Sequence, residues 1–252
     1  MKILGIIPSR FGSSRLEGKP LADINGKPMI QWVYERAQEA LTDVVVATDD
    51  ERIMAAVAKF GGKTVMTGVH HNSGTNRCLE AFEIYNAENN INPEVIINIQ
   101  GDEPLLEPEL LQALASCFDD KSVEMATLAS AVTSNEDLLG DSTVFLTMDK
   151  NQDALYFSRS PIPHARGVKK EEWLNHHKYW RHIGLYAFTP AALKHFAEMP
   201  GSSLEQAEAL EQLRWLEDGK KLRVAKTDHS GISVDTPADL EKVRRIVAEG
   251  NL

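Results

Sequence analysis

The chain has 252 residues, 42 % of them hydrophobic and 25 % charged, with a formal net charge of −10. That balance fits an ordinary globular protein of one large domain or two small ones, and its acidity disfavours a nucleic-acid polymer as partner, because neutralising phosphates needs a basic surface. No apolar run approaches the ~20 residues that span a bilayer, and the sequence opens on a strand rather than a leader segment, so the expected compartment is the cytoplasm.

Ile3 to Ile7 is a short β-branched run bounded by Pro8, which reads as a buried strand of a parallel sheet. The loop that follows carries Gly12, Gly18, Arg10, Arg15 and Lys19. Loops of this kind leave the carboxyl ends of strands, where open α/β sheets bind ligands. Clustered cations and backbone N–H groups there suit a polyphosphate; a solvated basic loop is the plainer alternative. The loop is not a Walker A motif, since Gly18-Lys19 is followed by Pro20, and it lacks a dinucleotide G-x-G-x-x-G.

Strand and helix then alternate. A turn at Asn25-Gly26 leads to a helix over 28–40, a strand over 43–48, and a helix from about 51 that Asp49 and Asp50 can cap. Gly61-Gly62 ends it, and a short strand covers 63–66. A helix over 75–86 draws apolar surface from Leu79, Phe82 and Ile84, and a strand over 94–99 runs into Gln100-Gly-Asp-Glu-Pro104 before a helix over 107–118. The pattern predicts a doubly wound, mostly parallel sheet with right-handed crossovers. Cys78 and Cys117 fall in helix-like stretches and suit reduced core thiols. The second half is less regular: strands over 125–132, 144–148, 154–158 and 179–188, a polar connection over 160–179, helices over 190–197 and 204–217, a strand over 222–225 and a final helix over 237–248. With no linker or repeat, the expectation is a single domain, 1–252, with an inserted β-rich lobe.

Two carboxylates stand out. Asp102 follows a buried strand, and Asp235 precedes the final helix in Ser233-Val-Asp-Thr-Pro237. Mg²⁺ takes one or two carboxylates plus phosphate oxygens, so convergence of these two would make a metal site. Asp235 as a helix cap and Asp102 as a turn residue are the structural alternatives. In a strand, His182, Gly184 and Tyr186 face the same way and suit a polyol, or are ordinary half-buried side chains. Arg159 ends a strand, Glu211 and Gln212 lie on a helix, and His70-His71 with Ser73-Gly74 form either a base-binding turn or a polar helix entry.

Taken together, several segments resemble the 3-deoxy-manno-octulosonate cytidylyltransferases, or CMP-Kdo synthetases. They are Ile6–Leu21, Asp23–Ile30, Val46–Asp49, Ser73–Thr75, Asn98–Pro104, Met125–Leu128, Ala154–Arg159, Arg181–Tyr186, Leu210–Arg214 and Val234–Pro237. The first alone indicates the wider nucleotidyltransferase, Rossmann-like fold; Gln-Gly-Asp-Glu-Pro, Leu-Tyr-Phe-Ser-Arg and Glu-Gln-Leu-Arg narrow it. The resemblance implies a homodimeric, Mg²⁺-dependent enzyme that joins CTP to the sugar acid Kdo for lipopolysaccharide synthesis. It implies that Arg10, Arg15 and Lys19 hold the triphosphate, with Gly12 and Ser13 in the same loop, and that Ser73, Gly74 and Gln100 contact the cytidine. Asp102 and Asp235 would ligate Mg²⁺, and Arg159, His182, Tyr186, Glu211 and Gln212 would line the sugar pocket. The inserted lobe would serve the dimer and the sugar site. Two positions depart from the family pattern: Glu17 where Pro is usual, and Asn76 where Glu is usual. An amino-substituted Kdo as substrate and a non-catalytic nucleotide-binding regulator are the rival readings.

Overall fold

A computed structural model describes residues 1–12, 16–71, 73–140, 143–229 and 231–250. The chain divides into two compact units: one of Met1–Gln112, Ala187–Ala197 and Gly231–Leu252, the other of Ala113–Tyr186 and Glu198–Ser230.

The first unit begins with β1 (Ile3–Ser9), a hairpin of β2 (Asp23–Ile24) and β3 (Lys27–Pro28), α1 (Met29–Ala40), β4 (Asp43–Thr48), α2 (Glu51–Lys59), β5 (Thr64–Met66), α3 (Gly74–Asn89), β6 (Val95–Asn98) and α4 (Pro108–Ser116), within which the chain passes to the second unit. Its strands pair in parallel in the order β6-β1-β4-β5, with Ile6 beside Asn98 on one side and Val45 on the other. Leu4, Ile6, Ile7, Val45, Val46, Ile96 and Ile97 are buried to within 1 % of complete exclusion from solvent. Residues of this kind, packed on both faces, make a central parallel sheet.

The second unit holds β7 (Met125–Ala131), α5 (Asn135–Leu139), β8 (Phe145–Met148), β9 (Ala154–Ser158), α6 (Trp173–His176) and most of β10 (Trp180–Phe188). α7 (Pro190–Glu198) lies almost wholly in the first unit; α8 (Ser203–Glu208), α9 (Leu213–Glu217) and β11 (Arg223–Thr227) belong to the second, and α10 (Pro237–Ala248) returns to the first. β7 lies between β11 and β10 and runs parallel to β11, while β8 and β9 form an antiparallel pair joined to β10. Phe145, Trp173 and Tyr179 pack with Val132 and Leu138 in a cluster of their own, with the rings of Trp173 and Tyr179 stacked 5.8 Å apart.

Four sequence expectations change. Pro8 does not bound the first strand but lies inside it, opposite Ala47. The pairing of β1 with β6 ends at Ile6, so the missing N–H of Pro8 costs no ladder bond on that side. α3 turns a different face inward: Thr75, Arg77, Cys78, Ala81 and Tyr85 are buried, whereas Leu79, Phe82 and Ile84 are only half-buried. Small side chains there bring the helix close to β1. Asp50 alone caps α2, accepting from Arg52 N, while Asp49 holds the buried Arg77 at 2.6 Å. The helix expected over 204–217 is two helices, because Ala209 adopts a left-handed conformation (φ 51°) and caps α8.

Candidate active site

At the carboxyl end of β1 the chain folds back on itself. Gly18 N donates to Phe11 O at 3.1 Å, and Gly18 sits at φ 65° with the Phe11 ring 3.1 Å from where a Cβ would stand. A side chain at 18 meets both a left-handed backbone and a ring, a cost of roughly 1–2 kcal/mol from the backbone alone. The Arg52 guanidinium covers Phe11, 3.3 Å from its centroid. This closure opens the 3-10 turn Lys19–Leu21 and sends the Lys19 side chain inward.

Lys19 Nζ donates to Asp102 Oδ2 at 2.8 Å, to Asp235 Oδ1 at 3.3 Å and to Val234 O at 3.1 Å. The two carboxylates therefore converge, as the sequence reading required. Asp102 is placed by the turn after β6, where Gly101 lets the backbone lie against β1: a Cβ there would be 3.0 Å from both Pro8 O and Ser9 Oγ. Asp235 is placed from the other side. Val234 is fully buried with Ile24, Met29, Leu240 and Val243, and its N–H donates to Asp102 O at 2.8 Å. The cap of α10 falls to Thr236, in a reciprocal pair with Asp239, so the capping alternative for Asp235 does not hold. The neighbouring Glu103 is buried, and burial first, then the Asp102 charge, lifts its carboxyl to about 7. Its Oε2 has no hydrogen-bond partner among the described residues.

Two carboxylates and a peptide carbonyl around one cationic point are hard oxygen donors and fit Mg²⁺. Among the described residues no group of three or more His, Cys, Asp or Glu could hold a metal. The pair suffices only for an ion that completes its shell with phosphate oxygens and water.

The other residues expected to meet the nucleotide are distributed around strand ends of the first unit. Arg10 and Gly12 are exposed; Ser13 and Arg15 lie outside the described residues. Ser73 caps α3, accepting from Asn76 N at 3.2 Å and donating to Asn76 Oδ1 at 2.8 Å, and Gly74 is the first residue of that helix. Gln100 is half-buried beside Gly101. His71 bonds Glu80 on α3, and its ring lies tilted against that of His70 with centroids 4.4 Å apart.

In the second unit, His182 and Tyr186 share a face of β10 with ring centroids 5.4 Å apart, and the edge of Phe157 meets His182 at 5.1 Å. His182 Nε2 lies 2.9 Å from Thr127 Oγ1. Burial pushes the imidazole down to about 3 and raises the Tyr186 phenol, to which the Glu211 charge adds. Arg159 donates from Nε to Glu208 O at 2.7 Å and from a terminal nitrogen to Ala209 O at 3.2 Å, which fastens the end of β9 to the break before Glu211 and Gln212. Glu211 pairs with Arg214 at 3.3 Å, and Gln212 is buried with no partner for Nε2 among the described residues.

The apolar surroundings of His182 make stability depend on pH. Below its ordinary value of 6.5 the unfolded chain takes up a proton that the folded imidazole refuses until about pH 3, so stability falls as pH falls through that window. Wild-type Tm should drop more steeply between pH 7 and 5 than that of His182→Gln, as read by differential scanning fluorimetry; parallel curves would contradict the downward displacement of this imidazole.

The model of the cytidylyltransferase family matches residues 4–222. The chain is 48 % identical over 252 residues to the 3-deoxy-manno-octulosonate cytidylyltransferase of Parabacteroides distasonis, covering 98 % of this chain and 99 % of the relative. It is 49 % identical to that of Bacteroides thetaiotaomicron, over 96 % of each. The chain belongs to the 3-deoxy-manno-octulosonate cytidylyltransferase family. A solved CMP:2-keto-3-deoxy-manno-octonic acid synthetase in complex with CTP superposes with a TM-score of 0.90 at 43 % identity, over 99 % of this chain and all of that one. A cytidylyltransferase from Leptospira borgpetersenii, at 16 % identity and TM-score 0.64, covering 99 % of this chain and 87 % of that one, shares the fold.

Within this cytidylyltransferase the two departures have local explanations. Asn76 donates its N–H to Ser73 Oγ and accepts from that same hydroxyl at Oδ1, so its side chain pairs with the cap by a different bond from the one a capping-box Glu takes from the N-cap backbone. Glu17 is exposed and adds to the field holding Arg52 charged, after the larger contribution of Asp50. Phe11 and Thr127 escaped the residue-by-residue reading. An aromatic in a cationic loop and a threonine in a strand are both ordinary, and only the Met125–Leu128 segment as a whole pointed toward Thr127.

Proposed function

We propose that this chain joins CTP to 3-deoxy-manno-octulosonate (Kdo), giving CMP-Kdo and pyrophosphate for lipopolysaccharide synthesis. The observation that carries the reading is the convergence of Asp102 and Asp235 on Lys19 Nζ within 3.3 Å, in a chain of this family. The anomeric hydroxyl oxygen of the sugar acid attacks the α-phosphorus of CTP and loses its proton to water; a new P–O bond forms as the bond from that phosphorus to the pyrophosphate oxygen breaks. The protein's work is positioning and charge stabilisation. Asp102 and Asp235 would hold Mg²⁺, which would supply positive charge to the reacting phosphoryl group. Lys19, with Arg10 and Arg15, neutralises the departing pyrophosphate. Gln100, Ser73 and Gly74 meet the cytidine. His182 and Tyr186 accept and donate hydrogen bonds to the sugar hydroxyls, Glu211 and Gln212 orient them, and Arg159 attracts the carboxylate. On this reading the two units work as one nucleotidyltransferase domain in a homodimeric, cytoplasmic enzyme; among the described residues no helix is long and apolar enough to cross a membrane.

Pyrophosphate release with each pairing of four NTPs and Kdo, 8-amino-Kdo or sialic acid, with the product identified by mass spectrometry, tests the reading. CTP with Kdo and Mg²⁺ should exceed every other pairing. CTP binding without turnover on any sugar acid would instead make the chain a nucleotide-binding regulator.

A further inference from the structure

Thr127 is fully buried on β7, and nothing in the proposed reaction uses its hydroxyl. Its Oγ1 lies 2.9 Å from His182 Nε2, 2.8 Å from Leu185 O and 3.3 Å from Ile183 O. A hydroxyl carries one proton, and peptide carbonyls only accept. The proton therefore goes to a carbonyl, with Leu185 O the nearer. Oγ1 then presents only lone pairs to the ring, so Nε2 must be the nitrogen that carries hydrogen. We propose that Thr127 is a positioning residue that locks His182 as its Nε2–H tautomer, leaving Nδ1 as a hydrogen-bond acceptor for a hydroxyl of the sugar acid.

Two further observations support the role. Phe157 packs its edge against the imidazole and Tyr186 flanks it, so the ring is gripped as well as tautomerically set. Gly184, between His182 and Tyr186 on the same strand face, has no atom within 4 Å of where a Cβ would stand. The space above it is open beside both rings. An acceptor fixed there selects a donating hydroxyl, and a ring free to switch tautomers would offer a donor part of the time and blunt that selection.

This role rests on the reading of His182 as a sugar-pocket residue, and the test separates the two. Long-range ¹H–¹⁵N NMR of histidine-labelled enzyme should show Nε2–H for His182 in the wild type. Thr127→Val should give a mixture of tautomers and raise the KM for Kdo about tenfold, the loss of one hydrogen bond, while the KM for CTP and the circular dichroism spectrum stay unchanged. Thr127→Ser should restore both readouts. An Nδ1–H signal in the wild type, or an unchanged Kdo KM in Thr127→Val, overturns the proposal, and the first of these needs no variant to fold. If Nε2–H is found but His182→Ala leaves the Kdo KM unaltered, the sugar-pocket reading fails and the positioning role of Thr127 toward the sugar fails with it, whereas the tautomer assignment stands.

Discussion

Asp102→Asn should lower kcat by roughly 10²–10³, the scale seen when one group that stabilises developing transition-state charge is removed, while the circular dichroism spectrum stays native. The asparagine keeps the shape of the side chain and its backbone bond to Val234, so the fold has no reason to change. What is lost is a negative charge at the point where Lys19 Nζ is held at 2.8 Å. Asp235→Asn should behave alike, since the capping of α10 by Thr236 and Asp239 does not involve its carboxylate. The double variant should cost little more than either single one, because the two acids act on one centre. Turnover within a factor of a few of wild type in both single variants would remove the metal role.

Lys19→Gln should harm both activity and stability. The ammonium serves two carboxylates and a carbonyl at once, and its side chain is 17 % exposed against 28 % and 34 % for the two acids. Without it two partly shielded negative charges face each other uncompensated. For pairs neither fully buried nor fully solvated the loss should be about 1–3 kcal/mol, or several degrees in Tm for a chain of this size. Activity should fall by about 10² or more, as expected for loss of a cation that meets departing pyrophosphate. Lys19→Arg should not recover it, because a planar fork cannot aim one nitrogen at three acceptors arranged around a point. Adding Asp102→Asn to Lys19→Gln should return part of the lost Tm by removing one of the stranded charges. A Lys19→Gln protein with wild-type Tm in metal-free buffer would show that the three groups are not coupled as their distances imply.

The parts of the molecule that the sequence disclosed were those written in local patterns. β4 and α10 have the bounds that their apolar runs and flanking residues predict, and the Asp50 cap follows from its place before Glu51. Alternation of strand and helix is enough to name the architecture of the first unit. Errors arose where tertiary contacts decide. Nothing in Leu204–Glu217 signals that Ala209 turns left-handed, since alanine is a favourable helix residue and the carbonyls at the break, those of Glu208 and Ala209, are held from outside the segment by Arg159. The inward face of α3 is not legible in the sequence because the buried side includes small and polar residues, Thr75, Cys78 and Ala81, that carry little hydrophobic signal. The site was legible as a set of residue types, and family resemblance joined them. Their geometry was not: that Lys19 would lie between the two acids, and that Thr236 rather than Asp235 would cap the last helix, depends on the bond from Val234 N to Asp102 O.

That one bond also orders the protein's birth. Lys19 and Asp235 are 216 residues apart in the chain, so a ribosome has released nearly the whole first unit before the second acid exists. A nascent chain can lay down β1, β4 and β6 early, but it stays chemically silent until the final segment emerges and docks Val234. A chain terminated before that segment would lack Val234, Leu240 and Val243, which close the cluster around Ile24 and Met29, and would lack Asp235 with them.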